Sequence, residues 1–272
     1  MTIPEEMMAF YKNGKEAERL FQGLGLIEFA RMQQLMARSF PAAPASIADV
    51  GGGPGTYASW LATQGYQVHL VDPVPLHIEQ ARAASARQPS HPIASFRVGD
   101  ARKLELGDSS VDAVLLHGPM YHLTEKSDRL LALEEARRVL RPGGLLLAVA
   151  ITTYASTIVG LVRGWIWDAA YVDMIKDEIT TGQHRCPKNR DLFTRSFFHH
   201  PAQLKVELEE AGFQHEATLG IQGPGWMVPD LEESWKDPGR RAAILQVAQM
   251  MENEPVHSPH MVAVGRKPGS PT

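Results

Sequence analysis

Four short patterns in this chain combine residue types that do chemistry. Glycines recur at alternate positions in Gly51-Gly52-Gly53-Pro54-Gly55, directly after the apolar run Ile47-Ala48-Asp49-Val50. Carboxylates close two further apolar runs: Asp72 follows Val68-His69-Leu70-Val71, and Asp100 follows Phe96-Arg97-Val98-Gly99. A fourth run, 111–116, leads into His117-Gly118-Pro119-Met120-Tyr121-His122. A glycine bend tolerates positive φ and lets a ligand lie directly against backbone. The helix that follows such a bend presents unpaired N–H groups to electron-rich atoms. Acids at strand ends supply hydrogen-bond acceptors, and a Tyr-His pair can orient or accept a proton. Together these features fit a nucleotide-type cofactor held at the strand ends of an open α/β sheet.

The elements that must position these groups are legible along the chain. Strands are expected at 47–50, 68–72, 96–98, 111–116, 145–150, 213–221 and 261–265. Helices are expected at 56–63, at 134–140 ending in Arg141-Pro142-Gly143-Gly144, at 201–211, and near 240–251. Residues 1 to about 40 have apolar positions at near-helical spacing, broken at Gly23-Leu24-Gly25. Two stretches, 152–198 and 223–259, are long for simple connections.

The glycine spacing separates two cofactor classes. A dinucleotide fingerprint is Gly-x-Gly-x-x-Gly, whereas here Gly51, Gly53 and Gly55 alternate behind Asp49. That arrangement resembles motif I of the class I S-adenosylmethionine (SAM) dependent methyltransferases. The strand-end acids, the Gly99-Asp100-Ala101 segment and the Leu140-Arg141-Pro142-Gly143-Gly144 sequence before a strand resemble the same family, over residues 47–150. The run at 118–123 resembles the Gly-Pro-Leu-Tyr-His-Leu sequence of its small-molecule, UbiE-like members, of the methyltransferase type 11 group. His117 is a less usual entry there.

The resemblance implies a Rossmann-like α/β fold: a seven-stranded, mostly parallel sheet of order 3-2-1-4-5-7-6 with helices on both faces and helical lid insertions. It divides the chain into a helical cap (1–40), a SAM-binding core (41–151), a lid after strand five (152–198) and a C-terminal part of the core (199–272) with an insertion at about 223–259. It implies SAM as cofactor, S-adenosylhomocysteine as product, and an enzyme that transfers a methyl group. In this reading Asp49, Gly51 and Gly53 shape the methionine passage, Asp72 accepts the ribose hydroxyls, Pro73 lies along the adenine, and Asp100 meets the adenine amino group beside Ala101. The backbone at His117 lines the methionine, and Tyr11, Arg19 and Arg31 are candidates to hold its carboxylate or close the lid. Tyr121 and His122 are the catalytic candidates. His184, Arg185, His199 and Trp226 are candidates for substrate contact, an anion for the first two and an aromatic wall for Trp226.

Composition bounds the remainder. The chain of 272 residues has 44% hydrophobic and 21% charged residues, ordinary for one globular α/β unit. Its formal charge of −4 disfavours a general nucleic-acid surface. No apolar run is long enough to span a bilayer, and the N-terminus lacks the pattern of a secretory signal. One cysteine, Cys186, excludes an internal disulfide and fits a reducing, cytoplasmic setting. The histidines show no metal-ligand spacing, so no metal is expected. The expected partner is a small-molecule acceptor, with no nucleic acid and no membrane, for a monomer or homodimer. Alternatives are a protein or RNA acceptor, an NAD-dependent oxidoreductase, and a non-catalytic SAM-binding protein.

Overall fold

A computed structural model describes residues 5–12, 14–187 and 192–269. Three helices open the chain: α1 (Glu5–Tyr11), α2 (Glu16–Arg19) and α3 (Gly25–Ser39). They are followed by β1 (Ser46–Val50), α4 (Thr56–Thr63), β2 (Gln67–Asp72), α5 (Pro75–Ala86), β3 (Ser95–Val98) and β4 (Val111–His117). Next come α6 (Pro119–His122), α7 (Lys126–Val139), β5 (Leu140–Ile151), α8 (Ala155–Arg163), α9 (Ala169–Thr181) and α10 (Pro201–Glu210). The chain then forms β6 (Gln214–Gly220), α11 (Leu231–Lys236), α12 (Pro238–Met250) and β7 (His260–Arg266).

The seven strands form one sheet in the order β3-β2-β1-β4-β5-β7-β6. β1 pairs in parallel with β2 and β4, and β7 runs antiparallel to both β5 and β6. This is the expected order. Central strands such as β1 are buried along their whole length, which is why they read as continuous apolar runs rather than alternating ones. On one sheet face the core contains Met32 and Leu35 of α3, Leu61 of α4 and Ile78 of α5. On the other, Leu133 of α7 and Leu204 and Leu208 of α10 pack against β4 and β5. No helix among the described residues is long and apolar enough to cross a membrane.

One boundary differs from expectation. The helix before β5 ends at Val139, and Leu140 already pairs with Val111, so Arg141-Pro142-Gly143-Gly144 lies inside the strand as an irregularity. Gly143 at φ +78° absorbs the extra residues, and tertiary pairing overrides the local turn signal there.

A helix cap, a short ladder and a buried ion pair organise the region after β5. Asp168 caps α9 by accepting from the Ala170 amide, and Gly182 closes the helix at φ +75°. A two-residue ladder then joins 183–184 to 196–197. Arg129 of α7 makes a two-pronged pair with Glu207 of α10 at 2.9 and 2.7 Å, and its guanidinium lies 3.7 Å from the centre of the Phe197 ring. Arg129 and Glu207 are both essentially inaccessible, so each charge depends on the other. Arg129→Leu is expected to destabilise the fold by roughly 3–5 kcal/mol, because it strands a buried carboxylate. Replacing both partners with apolar residues should cost far less, as equilibrium urea unfolding will measure.

Candidate cofactor and active site

The C-terminal edges of β1, β2 and β4, under the cap formed by α1 and α2, enclose a cleft of about 1220 Å³ including its open mouth. Its floor is the glycine loop after β1. Gly53, at φ +55°, faces the cleft with nothing closer to an imagined Cβ than the Glu16 side chain at 3.7 Å. Gly51 serves a different need. A Cβ there would sit 2.3 Å from the His117 carbonyl oxygen and 2.7 Å from Pro119. Gly51 lines the cleft as well, and contact between the β1 and β4 ends requires a glycine there whether or not a ligand passes it. Gly51→Ala is expected to lower the melting temperature by several degrees even with no ligand present, which differential scanning calorimetry will read.

Asp72 lies at the end of β2 and is 4% exposed. Its Oδ2 accepts from the Gly53 amide at 2.8 Å, and its Oδ1 accepts from the Val74 amide at 2.9 Å and meets His77 Nδ1 at 2.9 Å. One carboxylate thus ties the glycine loop to the first turn of α5. Pro73 and Ala101 line the same cleft. Asp100 is at its rim, where Arg102 grips the carboxylate with Nε at 3.0 Å and Nη2 at 2.6 Å. Burial alone would push the Asp100 carboxyl up, but the hydrogen bonds from Arg102 hold it below its ordinary range.

Asp49 does not line the cleft. It lies beneath the loop, where neither oxygen finds a well-formed hydrogen bond among the described residues. Burial, reinforced by the charge of Asp72, pushes its carboxyl up to about 7, against a weak downward pull from the Ala58 amide.

The cap contributes Tyr11, Glu16 and Arg19 to the walls. Arg19 pairs with Glu16 and, two-pronged at 2.9 and 3.0 Å, with Glu28 of α3. Glu28 is fully buried and also has His117 Nε2 at 3.5 Å and His260 Nδ1 at 3.4 Å. Burial would raise its carboxyl, but Arg19, then His260 and His117, hold it down at about 2. His117 thus presents backbone to the glycine loop while its ring turns back toward Glu28. Burial pushes that imidazole down to about 3.

Tyr121 and His122, in the single turn of α6 after β4, also border the cleft. His122 Nε2 lies 2.7 Å from the Tyr11 hydroxyl. Burial, with the neighbouring His77, pushes the His122 imidazole down to about 3, while burial holds the phenols of Tyr11 and Tyr121 above their usual range. At neutral pH the phenol of Tyr11 therefore donates and the neutral imidazole accepts. Phe193 packs against the rings of Tyr121 and His122 at 6.1 and 5.6 Å.

Five expected contacts do not reach this cleft. Arg31 is buried elsewhere, bonded to Glu252, Gln34 and the Ile221 carbonyl. His184 is inside the segment after β5, with Nδ1 2.6 Å from Glu178 and its ring stacked on Phe198. His199 meets Glu207 at 3.2 Å, and Trp226 packs with Ile27, Leu231, Ile244 and Ala248. Arg185 is exposed beside 188–191, which lie outside the described residues. Each buried side chain has contacts within the fold, with His199 Nδ1 and Trp226 Nε1 left without a hydrogen-bond partner among the described residues. Sequence reading missed His77 and Glu28. No local motif marks them, although a histidine in the helical turn after a strand-end acid is a usable signal. Among the described residues no cluster of His, Cys, Asp or Glu could hold a metal.

Residues 48–148 match the family model for a methyltransferase domain. Over this stretch the chain is similar to methyltransferase domains. It is 38% identical over 106 residues to an uncharacterized methyltransferase of Mycobacterium tuberculosis, covering 39% of this chain and 40% of that one. It is 34% identical over 115 residues to a ubiquinone/menaquinone biosynthesis C-methyltransferase of Rubrivivax gelatinosus, covering 42% and 43%. A tRNA 5-carboxymethoxyuridine methyltransferase of Escherichia coli is 27% identical over 177 residues, covering 65% and 62%. The first two alignments span about two fifths of those relatives' length. A SAM-dependent methyltransferase from Methanosarcina mazei shares the fold, with a TM-score of 0.61 at 18% identity, covering 87% of this chain and 98% of that one.

The cleft has a fitting place for SAM: a bare backbone loop, a strand-end acid with acceptor capacity left, and buried polar atoms without partners among the described residues at the cleft wall. The raised Asp49 carboxyl also has a consequence for stability. Its folded-state value lies above the unfolded one of about 3.9, so the folded protein binds this proton more tightly. Its contribution to stability is full below about pH 4 and is lost as pH rises through about 7. Urea unfolding of Asp49→Asn across pH 4–8 is expected to show a flatter decline than the parent protein.

Proposed function

We propose that this chain is a SAM-dependent methyltransferase acting on a small-molecule acceptor. The observation that carries the reading is the cleft itself, where the glycine loop, Asp72 and the Tyr121-His122 turn meet under a helical cap. When bound, SAM supplies a methyl group already activated on a sulfonium. The chain's task is then to bind, to align and to exclude water. Gly53 leaves room for the methionine part, Asp72 and Pro73 hold the ribose and adenine side, and Asp100 with Ala101 borders the base. Arg19, with its charge shared between Glu16 and Glu28, faces the cleft from the cap and can pair with the amino-acid carboxylate.

Tyr121 and His122 orient the acceptor. His122 is neutral at physiological pH because of its burial, so it is in the form that can take a proton, but its Nε2 is engaged by Tyr11. Breaking that bond, by displacement of α1, frees the nitrogen for an acceptor that must lose a proton. The similarity to a quinone-pathway C-methyltransferase supports a small acceptor, as does a cleft covered by a cap rather than open as a groove. The similarity to a tRNA methyltransferase supports a second reading, an RNA acceptor. That reading requires salt-dependent tRNA binding, which a filter-binding assay with unmodified tRNA will detect if it exists.

The test is calorimetric binding of S-adenosylhomocysteine, followed by an acceptor screen that reads its release from SAM. Asp72→Ala, checked for folding by circular dichroism, is expected to weaken S-adenosylhomocysteine at least about tenfold. Unchanged affinity would remove the ribose assignment. On an authentic acceptor, Tyr121→Phe and His122→Ala are each expected to lower kcat by about tenfold or more. Full turnover in both variants would end their acceptor-side role.

A further inference from the structure

The hydrogen-bond capacity of Asp72 points to a residue that shares its task. Each carboxylate oxygen accepts along two lone-pair directions. Oδ1 is filled by the Val74 amide and His77 Nδ1, while Oδ2 has accepted once, from Gly53. One direction on Oδ2 is left, yet a ribose presents two adjacent hydroxyls. The second acceptor stands beside the first. His77, in the first turn of α5 behind Pro75, is 2% exposed and lines the cleft. Its Nε2 is buried without a hydrogen-bond partner among the described residues. The ring is held on two sides, by Asp72 at Nδ1 and by the Tyr11 ring, packed edge-on with centroids 5.1 Å apart. A polar atom left bare in a buried site is costly unless a ligand completes it.

Resting on the SAM reading above, we propose that His77 is a cofactor-binding residue whose Nε2 takes one ribose hydroxyl while Asp72 Oδ2 takes the other. With Nδ1–H donating to Asp72, Nε2 accepts from that hydroxyl. With both nitrogens protonated, Nε2–H donates to the hydroxyl oxygen instead, so a group that both donates and accepts suits the site in either state. The pair Asp72-His77 then reads the vicinal diol as a unit. A ligand lacking one hydroxyl loses a single partner rather than a share of one crowded carboxylate.

The test is a chemical double-mutant cycle on the full chain. S-Adenosylhomocysteine and its 2′-deoxy and 3′-deoxy analogues are titrated calorimetrically into the parent protein and into His77→Asn and His77→Gln. An Asn amide can keep the bond to Asp72 but has no atom at the Nε2 position; a Gln amide reaches toward that position. In the parent, both deoxy analogues are expected to bind several-fold to about tenfold more weakly. In His77→Asn, S-adenosylhomocysteine itself weakens by a similar factor, one of the two analogues suffers no further loss, and the other loses as before. His77→Gln should recover part of the affinity. If His77→Asn weakens all three ligands equally, or none, the residue only braces Asp72 and the proposal is overturned. Nitrogen NMR of the unmutated protein gives an independent readout: the Nε2 signal of His77 should shift with S-adenosylhomocysteine and less with the analogue lacking its hydroxyl, and equal shifts would count against the contact. If the parent binds no S-adenosylhomocysteine at all, the SAM reading falls, an outcome distinct from tight binding without coupling to His77.

Discussion

The site depends on one buried carboxylate. Asp72 stands where β2 ends and satisfies amide groups from two loops, Gly53 after β1 and Val74 before α5. These two amides would otherwise face a desolvated cleft, and pairing them with an anion is stronger than pairing with a neutral acceptor. The bend after β1, the start of α5 and the ring of His77 are thereby fixed relative to one another before any ligand arrives. Preorganisation of this kind lowers the cost of binding, because the polar groups are already aimed.

A second buried acid performs the same service for the cap. Glu28 lies within α3, yet its partners come from α2 (Arg19), β4 (His117), β7 (His260) and the loop after β6 (Gln222). The Arg19 guanidinium compensates the buried charge, so the short helix α2 is anchored electrostatically rather than by its own length. Four residues cannot hold a helix on propensity alone. The clamp adds an electrostatic tie to the burial of Met7 and Leu20 in holding the cap over the cleft, and the arginine at its edge carries a charge already shared between two carboxylates.

Histidine placement separates structural from ligand-facing polarity in this fold. His184 and His199 each find a buried glutamate, the first pairing with Glu178 inside the segment after β5 and the second with Glu207 of α10. His184 has both ring nitrogens engaged, while His199 Nδ1 has no partner among the described residues but does not line the cleft. His77 and His122 border the cleft and each keep one ring nitrogen bare. The difference lies in which imidazoles reach the cleft wall, and only packing decides that.

How much could be read in advance follows the same division. Strand positions, the glycine loop and the acids at the strand ends were legible, because parallel strands buried on both faces leave long apolar runs and the residues after them are set by local backbone need, whereas the order of the strands came from the family resemblance. The boundary at Leu140 was not, since pairing with Val111 extends the strand through a turn-like sequence. Nor was the misassignment of Arg31 and Trp226: helical spacing places both on α3 or in a loop, but only the contacts with Glu252 and with the Ile27 cluster show that they face away from the cleft. The amino-acid order by itself determined which atoms stand at the C-terminal edge of the sheet, because a strand and the bend after it are written in consecutive residues. The tertiary structure alone decided which distant side chains complete that edge, Tyr11 against His122 and Arg19 against Glu28, because these meetings depend on how helices far apart in the chain settle on a shared core.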